Sequence, residues 1–279
     1  MTQISLVPSQ GRDMGQIAAA QRSFGDHLKA WRQRRRRSQL DFALDAEISQ
    51  KHLSFIETGR STPSRDMVIR LTEALDIPLR ERNLMLLSAG YAPLYLSRSL
   101  DDPSLQPARA AIDLILQGHE PYPAVAVDRH WTLIAANAAV APLLAGVKDT
   151  RLTDAPINVL RLSLHPDGLA PHIANLAQWR KHLLERLKHQ IDVTADTKLI
   201  ALDRELRGYP CDAGAEGPLT HDTDIVVPLL LTTEQGTLAF FSTVTVFGTP
   251  VDITLSEIAI ESFFPADEAT RKALRSPAA

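Results

Sequence analysis

Residues 38–60 read SQLDFALDAEISQKHLSFIETGR, and this stretch decides the fold of the front of the chain. Ser38 and Ser49 are suitable N-caps, because a serine hydroxyl can accept a hydrogen bond from a free backbone amide at the start of a helix. The stretch therefore predicts helices over residues 39–46 and 50–58. Two short helices joined by a tight turn form a helix-turn-helix.

Further helices are predicted on both sides of this pair. Apolar spacing and turn residues place them at 24–36, 63–76 and 79–89. Five short helices with brief joints form a compact all-α domain, which we place at residues 23–90. Residues 1–22 are polar without a sustained period, and we expect them to be a flexible N-terminal tail.

The composition is that of an ordinary globular protein, since 44% of the 279 residues are hydrophobic and 23% are charged. This length favours about two domains. The single cysteine, Cys211, cannot form an internal disulfide. The sequence shows neither a signal peptide nor an apolar run of ~18 residues, so we expect a cytoplasmic protein without a membrane span.

Charge is distributed unevenly along the chain. Residues 1–90 contain 14 Lys and Arg against 10 Asp and Glu, whereas residues 91–279 contain 16 against 23. A basic front and an acidic rear are typical of a chain that is made of two modules.

The rear of the chain is predicted to be an α+β domain at 107–272. A proline-containing linker at 91–106 precedes it, and a C-terminal tail at 273–279 follows it. The pattern predicts helices at 107–117, 138–144, 171–190 and 194–207, with Asn137 as an N-cap, and strands at 124–127, 131–135, 225–231, 237–247 and 251–255.

The helix at 50–58 has one apolar and one polar flank. Its 3.6-residue period turns Leu53 and Ile56 towards a core. The exposed flank consists of Gln50, Lys51, Ser54, Phe55 and Thr58. Such a flank suits the major groove of DNA, because Gln can bond adenine, Lys can reach guanine acceptors and Phe can contact a thymine methyl group.

The motifs Ser38-Gln39, Ile48-Ser49-Gln50, Leu53-Ser54-Phe55-Ile56-Glu57 and Thr58-Gly59-Arg60 resemble the Xre/Cro family of helix-turn-helix domains. The resemblance implies a structural ion pair between Arg32 and Glu57. It also implies phosphate contacts from Gln39, Thr58 and Arg60, and base contacts from Ser49, Gln50, Lys51, Ser54 and Phe55.

Two positions depart from the family pattern. Glu47 stands where the family usually has Gly, and a left-handed conformation there would cost roughly 1 kcal/mol. Arg37 stands where an apolar residue usually precedes the Ser-Gln pair. The run Arg34–Arg37 fits equally well a solvated helix end that complements the helix dipole and a surface that attracts phosphate.

No familiar catalytic motif occurs in the rear domain. Cys211 has no histidine closer in sequence than His221, and a free thiol without a catalytic role is the simpler interpretation. His182, Glu185 and His189 share one helical face, which leaves a metal-dependent enzyme as an alternative. Neighbouring lysines and an arginine make an ordinary solvated face the more economical interpretation, and we expect no metal and no cofactor.

Apolar residues dominate the rear domain, and a sheet flanked by helices can enclose a pocket for a small apolar ligand. The candidate ligand-binding residues are Val127, Trp131, Leu133, Trp179, Leu183, Phe240 and Val244. For any one of them, simple core packing is the alternative.

Several motifs from both halves of the chain resemble the MmyB-like bacterial regulators. They are Leu79-Arg80-Glu81-Arg82-Asn83, Ala89-Gly90-Tyr91-Ala92-Pro93, Asn158-Val159-Leu160-Arg161-Leu162, His165-Pro166-Asp167-Gly168-Leu169, Trp179-Arg180 and Phe240-Phe241-Ser242-Thr243-Val244. The resemblance implies an Xre-type domain joined to a PAS-like domain, which is an antiparallel sheet with helices. It also implies a ligand that is fatty-acid-like or otherwise apolar.

The sequence therefore predicts a bacterial transcription regulator that binds operator DNA and a small apolar ligand. A homodimer is expected, because one reading helix covers too few base pairs for useful specificity. Two alternatives remain for the rear domain, a metal-dependent enzyme and a pure dimerisation domain.

Overall fold

A computed structural model describes residues 22–211, 227–234, 236–248, 250 and 252–275. Parts of four sequence predictions lie outside these residues: the N-terminal tail, the end of the C-terminal tail and the beginnings of the strands predicted at 225 and 251. No helix within the described residues combines the length and the apolar character that a membrane span needs.

The chain divides into two compact units between Leu96 and Ser97. This division falls inside the predicted linker at 91–106. Each end of the linker is bonded to the unit that adjoins it in the chain. On one side, the Asn83 side chain bonds the backbone of Leu94 and Tyr95. On the other side, the Thr254 hydroxyl donates to the Arg98 carbonyl oxygen.

The first unit consists of five helices, as the sequence predicts, and every predicted boundary lies within two residues of the observed one. The helices are α1 (Phe24–Arg34), α2 (Gln39–Asp45), α3 (Gln50–Glu57), α4 (Arg65–Ala74) and α5 (Leu79–Ser88). Four of them begin after a serine whose hydroxyl accepts a backbone N–H three residues later, namely Ser23, Ser38, Ser49 and Ser64. The local signal is strong because each cap satisfies an amide that the helix itself leaves free.

The core of the first unit contains residues from all five helices, and it includes Leu28 of α1, Leu53 of α3 and Leu71 of α4, none of which is exposed. Gly25 brings α1 close to the end of α3. A Cβ atom at this position would lie 2.5 Å from the Ile56 carbonyl oxygen. A glycine is therefore required here by the close approach of two backbones.

The second unit is built on a five-stranded antiparallel sheet. The strands are β1 (Ala124–Val127), β2 (Leu133–Ala136), β3 (Leu229–Thr233), β4 (Gly236–Val246) and β5 (Ala259–Pro265). Their order in the sheet is β2-β1-β5-β4-β3. Together with the first unit, this arrangement confirms the predicted fold class, an all-α helix-turn-helix domain and an α+β domain.

Helices cover both faces of the sheet. The α-helices are α6 (Gln106–Gly118), α7 (Val159–Leu164), α8 (Leu176–Thr194), α9 (Thr197–Arg207), α10 (Ile253–Ser256) and α11 (Glu268–Arg275), and short 3₁₀ helices occupy Pro103–Leu105, Ala138–Leu144, Thr150–Thr153 and Ala170–His172. One core cluster joins α6 to one face through Ile112, Ala124 and Ile260. The other joins α7, α8 and α9 to the opposite face.

Some predictions about the second unit are wrong. The expected last strand at 251–255 is helical from Ile253, because the Asp252 carboxylate accepts the Thr254 N–H and begins a helical turn. The long helix expected from residue 171 begins at Leu176, after a 3₁₀ turn that contains Pro171. The predicted C-terminal tail at 273–279 begins inside α11.

Two further predictions fail near the first hairpin. Asn137 does not cap the following helix, since its side chain bonds the backbone of Leu116, Tyr122 and Ala124 instead. Trp131 does not belong to a strand, because its φ of 66° places it in a tight turn.

Candidate functional site

Helix α3 is held in place by contacts at its start and along its back. The Ser49 hydroxyl accepts the His52 N–H at 3.2 Å. Glu47 in the preceding turn has a φ of 55°, a left-handed conformation that glycine adopts most easily. Leu53 and Ile56 are buried, as predicted. These contacts fix the opposite flank of the helix as a rigid surface.

The polar flank of α3 faces solvent in the first unit. Gln50 and Lys51 are exposed, and Ser54 and Phe55 are half-buried. Two cations lie close to the Phe55 ring, with the Lys51 Nζ atom 5.7 Å and the Arg60 Cζ atom 5.9 Å from its centre. An aromatic ring flanked by cations combines apolar contact with attraction for phosphate.

Arg32 and Glu57 form a buried ion pair directly behind this flank. The Arg32 Nε atom donates to Glu57 Oε1 at 2.6 Å, and Nη2 donates to Oε2 at 3.0 Å. The Gln39 amide donates to Oε2 as well, at 2.8 Å. The pair joins α1 to α3, whereas Gln39 is drawn towards the protein interior rather than presented freely to DNA.

Thr58 and Arg60, the two other predicted phosphate contacts, differ in how accessible their hydrogen-bond donors are. The Thr58 hydroxyl donates to the Ser54 carbonyl oxygen at 2.8 Å, so its proton is used within the helix end. Arg60 is exposed. Of the predicted phosphate contacts, Arg60 therefore has the most accessible donors.

The arginine run also has internal partners. The Arg35 side chain donates to the carbonyl oxygens of Leu75 and Asp76, at 2.9 and 3.0 Å. Arg37 forms an ion pair with Asp45 at 3.0 Å. These contacts support a structural role for Arg35 and Arg37, without removing their positive charge from the surface.

The second unit contains an apolar cavity of about 130 Å³ between the sheet and helices α7 and α8. Trp131, Leu133, Trp179, Leu183 and Phe240 line it. This volume is close to the ~150 Å³ of an engineered cavity that stays dry and binds benzene. The cavity therefore suits a small apolar group.

Two of the candidate ligand residues lie elsewhere. Val127 and Val244 line an adjoining groove of about 490 Å³ beside α8, and Val244 is 48% exposed. The structure therefore places these two residues outside the apolar cavity, and their role in ligand binding stays a prediction. Alternation along a strand identifies the face that a residue occupies, but not the position along that face where a cavity opens.

Sequence reasoning missed several wall residues, among them Ser163, Glu261 and Phe263. Glu261 and Phe263 lie on the central strand β5, which was not predicted. The β-branched and aromatic residues of Ile260-Glu261-Ser262-Phe263-Phe264 are the signal that could have revealed this strand.

Hydrogen bonds fix both tryptophans of the cavity. The Trp131 indole N–H donates to Gln190 Oε1 at 2.8 Å, and the Arg186 guanidinium lies 4.9 Å over the Trp131 ring. The Trp179 indole N–H donates to the Ser163 hydroxyl at 3.1 Å. Because their polar ends are satisfied, both rings present apolar surface to the cavity.

The His182, Glu185 and His189 side chains line the groove, outside the apolar cavity. Burial and the charge of Arg186 lower the pKa of His182, whose ring packs against Trp179 at 5.4 Å between centres. Among the described residues, no three His, Cys, Asp or Glu side chains are arranged to hold a metal ion. His182, Glu185 and His189 therefore do not converge on a single point.

Comparison with known families agrees with this geometry. A helix-turn-helix family matches residues 28–82, and the family described as "MmyB-like transcription regulator ligand binding domain" matches residues 108–276. The chain belongs to the MmyB-like transcription regulators. No curated protein sequence matches the chain.

The family assignment gives both units a general role. This MmyB-like regulator binds DNA through its helix-turn-helix unit, and its second unit is a ligand-binding domain. Neither matched family is an enzyme family.

Proposed function

We propose that α3 reads a specific operator by placing its polar flank in the major groove. Ser49, Gln50, Lys51, Ser54 and Phe55 are the proposed base contacts. The exposure of Gln50 and Lys51 at the start of a rigidly backed helix is the observation that carries this proposal. Gln39, Thr58 and Arg60 are the proposed phosphate contacts, and Arg60 has the best support because its donors are accessible.

The proposed regulator is a cytoplasmic bacterial homodimer. One short helix reads only a few base pairs, whereas two copies related by a two-fold axis read half-sites one helical turn apart. We propose that residues 23–90 supply the DNA-binding domain, and that the ligand-binding domain spans from residue 107 to the end of α11.

We also propose that a small apolar molecule occupies the cavity and alters operator binding. The apolar wall beside α7 and α8 supports a ligand rather than a filled core. A fatty-acid-like ligand remains the second candidate from the family resemblance, and its chain would need the cavity to widen beyond about 130 Å³. Ligand control requires different ligand affinities in the DNA-competent and DNA-incompetent states.

The variant Gln50→Ala tests the reading helix. It removes a side chain that can form two bonds to adenine, and we expect about 1–3 kcal/mol weaker binding at the selected operator with little change on random DNA. Fluorescence anisotropy on operators enriched from a random library measures both affinities. Gln33→Ala, an exposed glutamine in α1, is the matched control and should retain wild-type binding.

A uniform loss on operator and random DNA would make Gln50 a backbone contact. If Gln50→Ala instead bound the operator like the wild type, the proposed reading flank would be wrong.

The ligand is tested by native mass spectrometry of the purified full chain, followed by operator titration with and without the molecule found. A stoichiometric small molecule that changes operator affinity supports the proposal. Equal affinity at saturating ligand would contradict ligand control.

A further inference from the structure

Glu261 occupies an unusual position in the second unit. It lies on the central strand β5, where it pairs with Val125 of β1 and Val244 of β4. Its side chain is only 7% exposed. A carboxylate in the middle of a covered sheet face is costly unless it is paired, so its presence needs an explanation.

The partners of Glu261 use one side of its carboxylate. Arg186 Nη1 and the Ser242 hydroxyl both donate to Oε1, each at 2.8 Å. Within the described part of the chain, no donor bonds the second oxygen, Oε2, and this oxygen is not among the fully buried atoms that lack a partner. Oε2 therefore borders open space and keeps its acceptor capacity.

Glu261 lies where two spaces meet. It lines both the cavity and the groove beside α8, whereas Arg186 lines only the groove. Among the described residues, Glu261 is the only charged one that lines the cavity, and Arg186 balances its charge from the groove side. Ser163 is the other side chain in the wall that carries a hydroxyl or carboxyl group. Its oxygen accepts the Trp179 indole N–H, and its own proton can still be donated.

We infer that Glu261 is the polar anchor of the cavity and that the ligand is a small apolar molecule with one hydrogen-bond donor, such as a hydroxyl group. This inference rests on the proposed ligand-binding function and narrows its ligand class. A donor on the ligand would bond Oε2. Such a polar contact can orient a ligand in a pocket whose walls are otherwise apolar. A ligand carboxylate has no proton to donate and would meet an acceptor oxygen instead.

Three probe molecules of similar size separate the contributions of shape, hydrogen bonding and charge to binding in the cavity. Phenol carries a donor, fluorobenzene has nearly the same shape without a donor, and benzoate carries a negative charge. Trp131 and Trp179 line the cavity, so quenching of tryptophan fluorescence in the full chain can follow binding. Calorimetry then gives the affinities of each probe.

The variant Glu261→Gln keeps the side-chain shape and removes the charge. We expect phenol to bind roughly tenfold more weakly, because a hydrogen bond to a charged acceptor is stronger than one to a neutral acceptor. Fluorobenzene should change by less than about twofold, since only shape governs its binding. Benzoate should bind more tightly, because the variant leaves the Arg186 charge without its counter-charge.

Glu261→Asp provides a second variant that keeps the counter-charge for Arg186 and withdraws the carboxylate from the cavity. It should also weaken phenol more than fluorobenzene. Val246→Thr, on an exposed position of β4, is the control and should leave all three affinities unchanged.

The outcomes distinguish this inference from the function on which it rests. If phenol and fluorobenzene bind the wild type but respond equally to both variants, Glu261 only ties α8 to the sheet and the inference is overturned. If none of the probes binds the wild-type chain, the proposal that a small apolar molecule occupies this cavity fails.

Discussion

Each unit of this regulator buries a glutamate against an arginine, but the two pairs leave their carboxylates in different states. In the first unit, Arg32 and Gln39 together bond both oxygens of Glu57. In the second unit, Arg186 and Ser242 bond the same oxygen of Glu261. A saturated carboxylate holds elements together, whereas one with an open acceptor beside a cavity can also bind a ligand.

The largest expected effect comes from breaking the saturated pair. Glu57→Ala leaves Arg32 buried without a counter-charge, and we expect a loss of about 3–5 kcal/mol in the free energy of unfolding of the first unit. Hydrogen exchange of peptides from residues 24–88 measures this loss without interference from the second unit.

Glu73→Ala is the matched control for that variant. Glu73 is paired with Arg82 at 3.5 Å but is 57% exposed, so its removal should cost about 0–1 kcal/mol. Equal losses of unfolding free energy for the two variants would mean that burying Glu57 and bonding both of its oxygens adds no stability.

The next effect concerns the close approach of backbones beside the Arg32–Glu57 pair. In Gly25→Ala, the new methyl group would lie 2.5 Å from the Ile56 carbonyl oxygen, and we expect a loss of about 1–3 kcal/mol in unfolding free energy. Gly118→Ala is the control, because no heavy atom lies within 4 Å of its Cβ position. Urea denaturation should show a lower midpoint for the Gly25 variant alone.

A third carboxylate, that of Asp196, allows the stability that a paired carboxylate contributes to be followed as a function of pH. Burial by itself raises the Asp196 pKa, but hydrogen bonds from His130 and the Lys198 N–H, together with the Arg129 charge, lower it to about 2. Since the folded-state pKa lies below the ordinary value of 3.8, the stabilisation is present above about pH 4 and is lost as the pH falls towards 2.

Asp196→Asn should therefore reduce the unfolding free energy of the second unit by about 1–2 kcal/mol at pH 7, with the remaining exposure of the site taken into account. The difference between variant and wild type should shrink as the pH approaches 2. Denaturation curves across this range measure it, and a difference that stays constant with pH would contradict the assignment.

The smallest effect is expected for Ser242→Ala. This variant removes one donor to Glu261 and keeps Arg186, so we expect a loss of about 1 kcal/mol in unfolding free energy. Gln39→Ala is its counterpart at Glu57. A loss above ~3 kcal/mol for Ser242→Ala alone would indicate that the Glu261 network is chiefly structural.

The first unit could be predicted from its sequence because its signals are local. Ser38 and Ser49 satisfy amides three residues away, and the 3.6-residue period places Leu53 and Ile56 on the buried side. The Glu57 network was only half predicted, since its contact with Arg32 was expected and its contact with Gln39 was not. Which long polar side chains meet depends on packing between helices.

The second unit was less predictable because its strands pair over long distances. The sequence identified the hairpin of β3 and β4 but missed β5, which completes the centre of the sheet between β1 and β4. Asn137 resembles an N-cap in the sequence, yet its amide bonds three backbone groups that are brought together only by folding.

The sequence alone determined the two-module plan and the flank of α3 that faces solvent, because capping and helical periodicity depend on residues a few positions apart. Only the tertiary structure decided where the cavity lies and that Glu261 borders it. The physical reason is that a cavity belongs to several elements at once, and the environment of a carboxylate depends on neighbours that are distant in the chain.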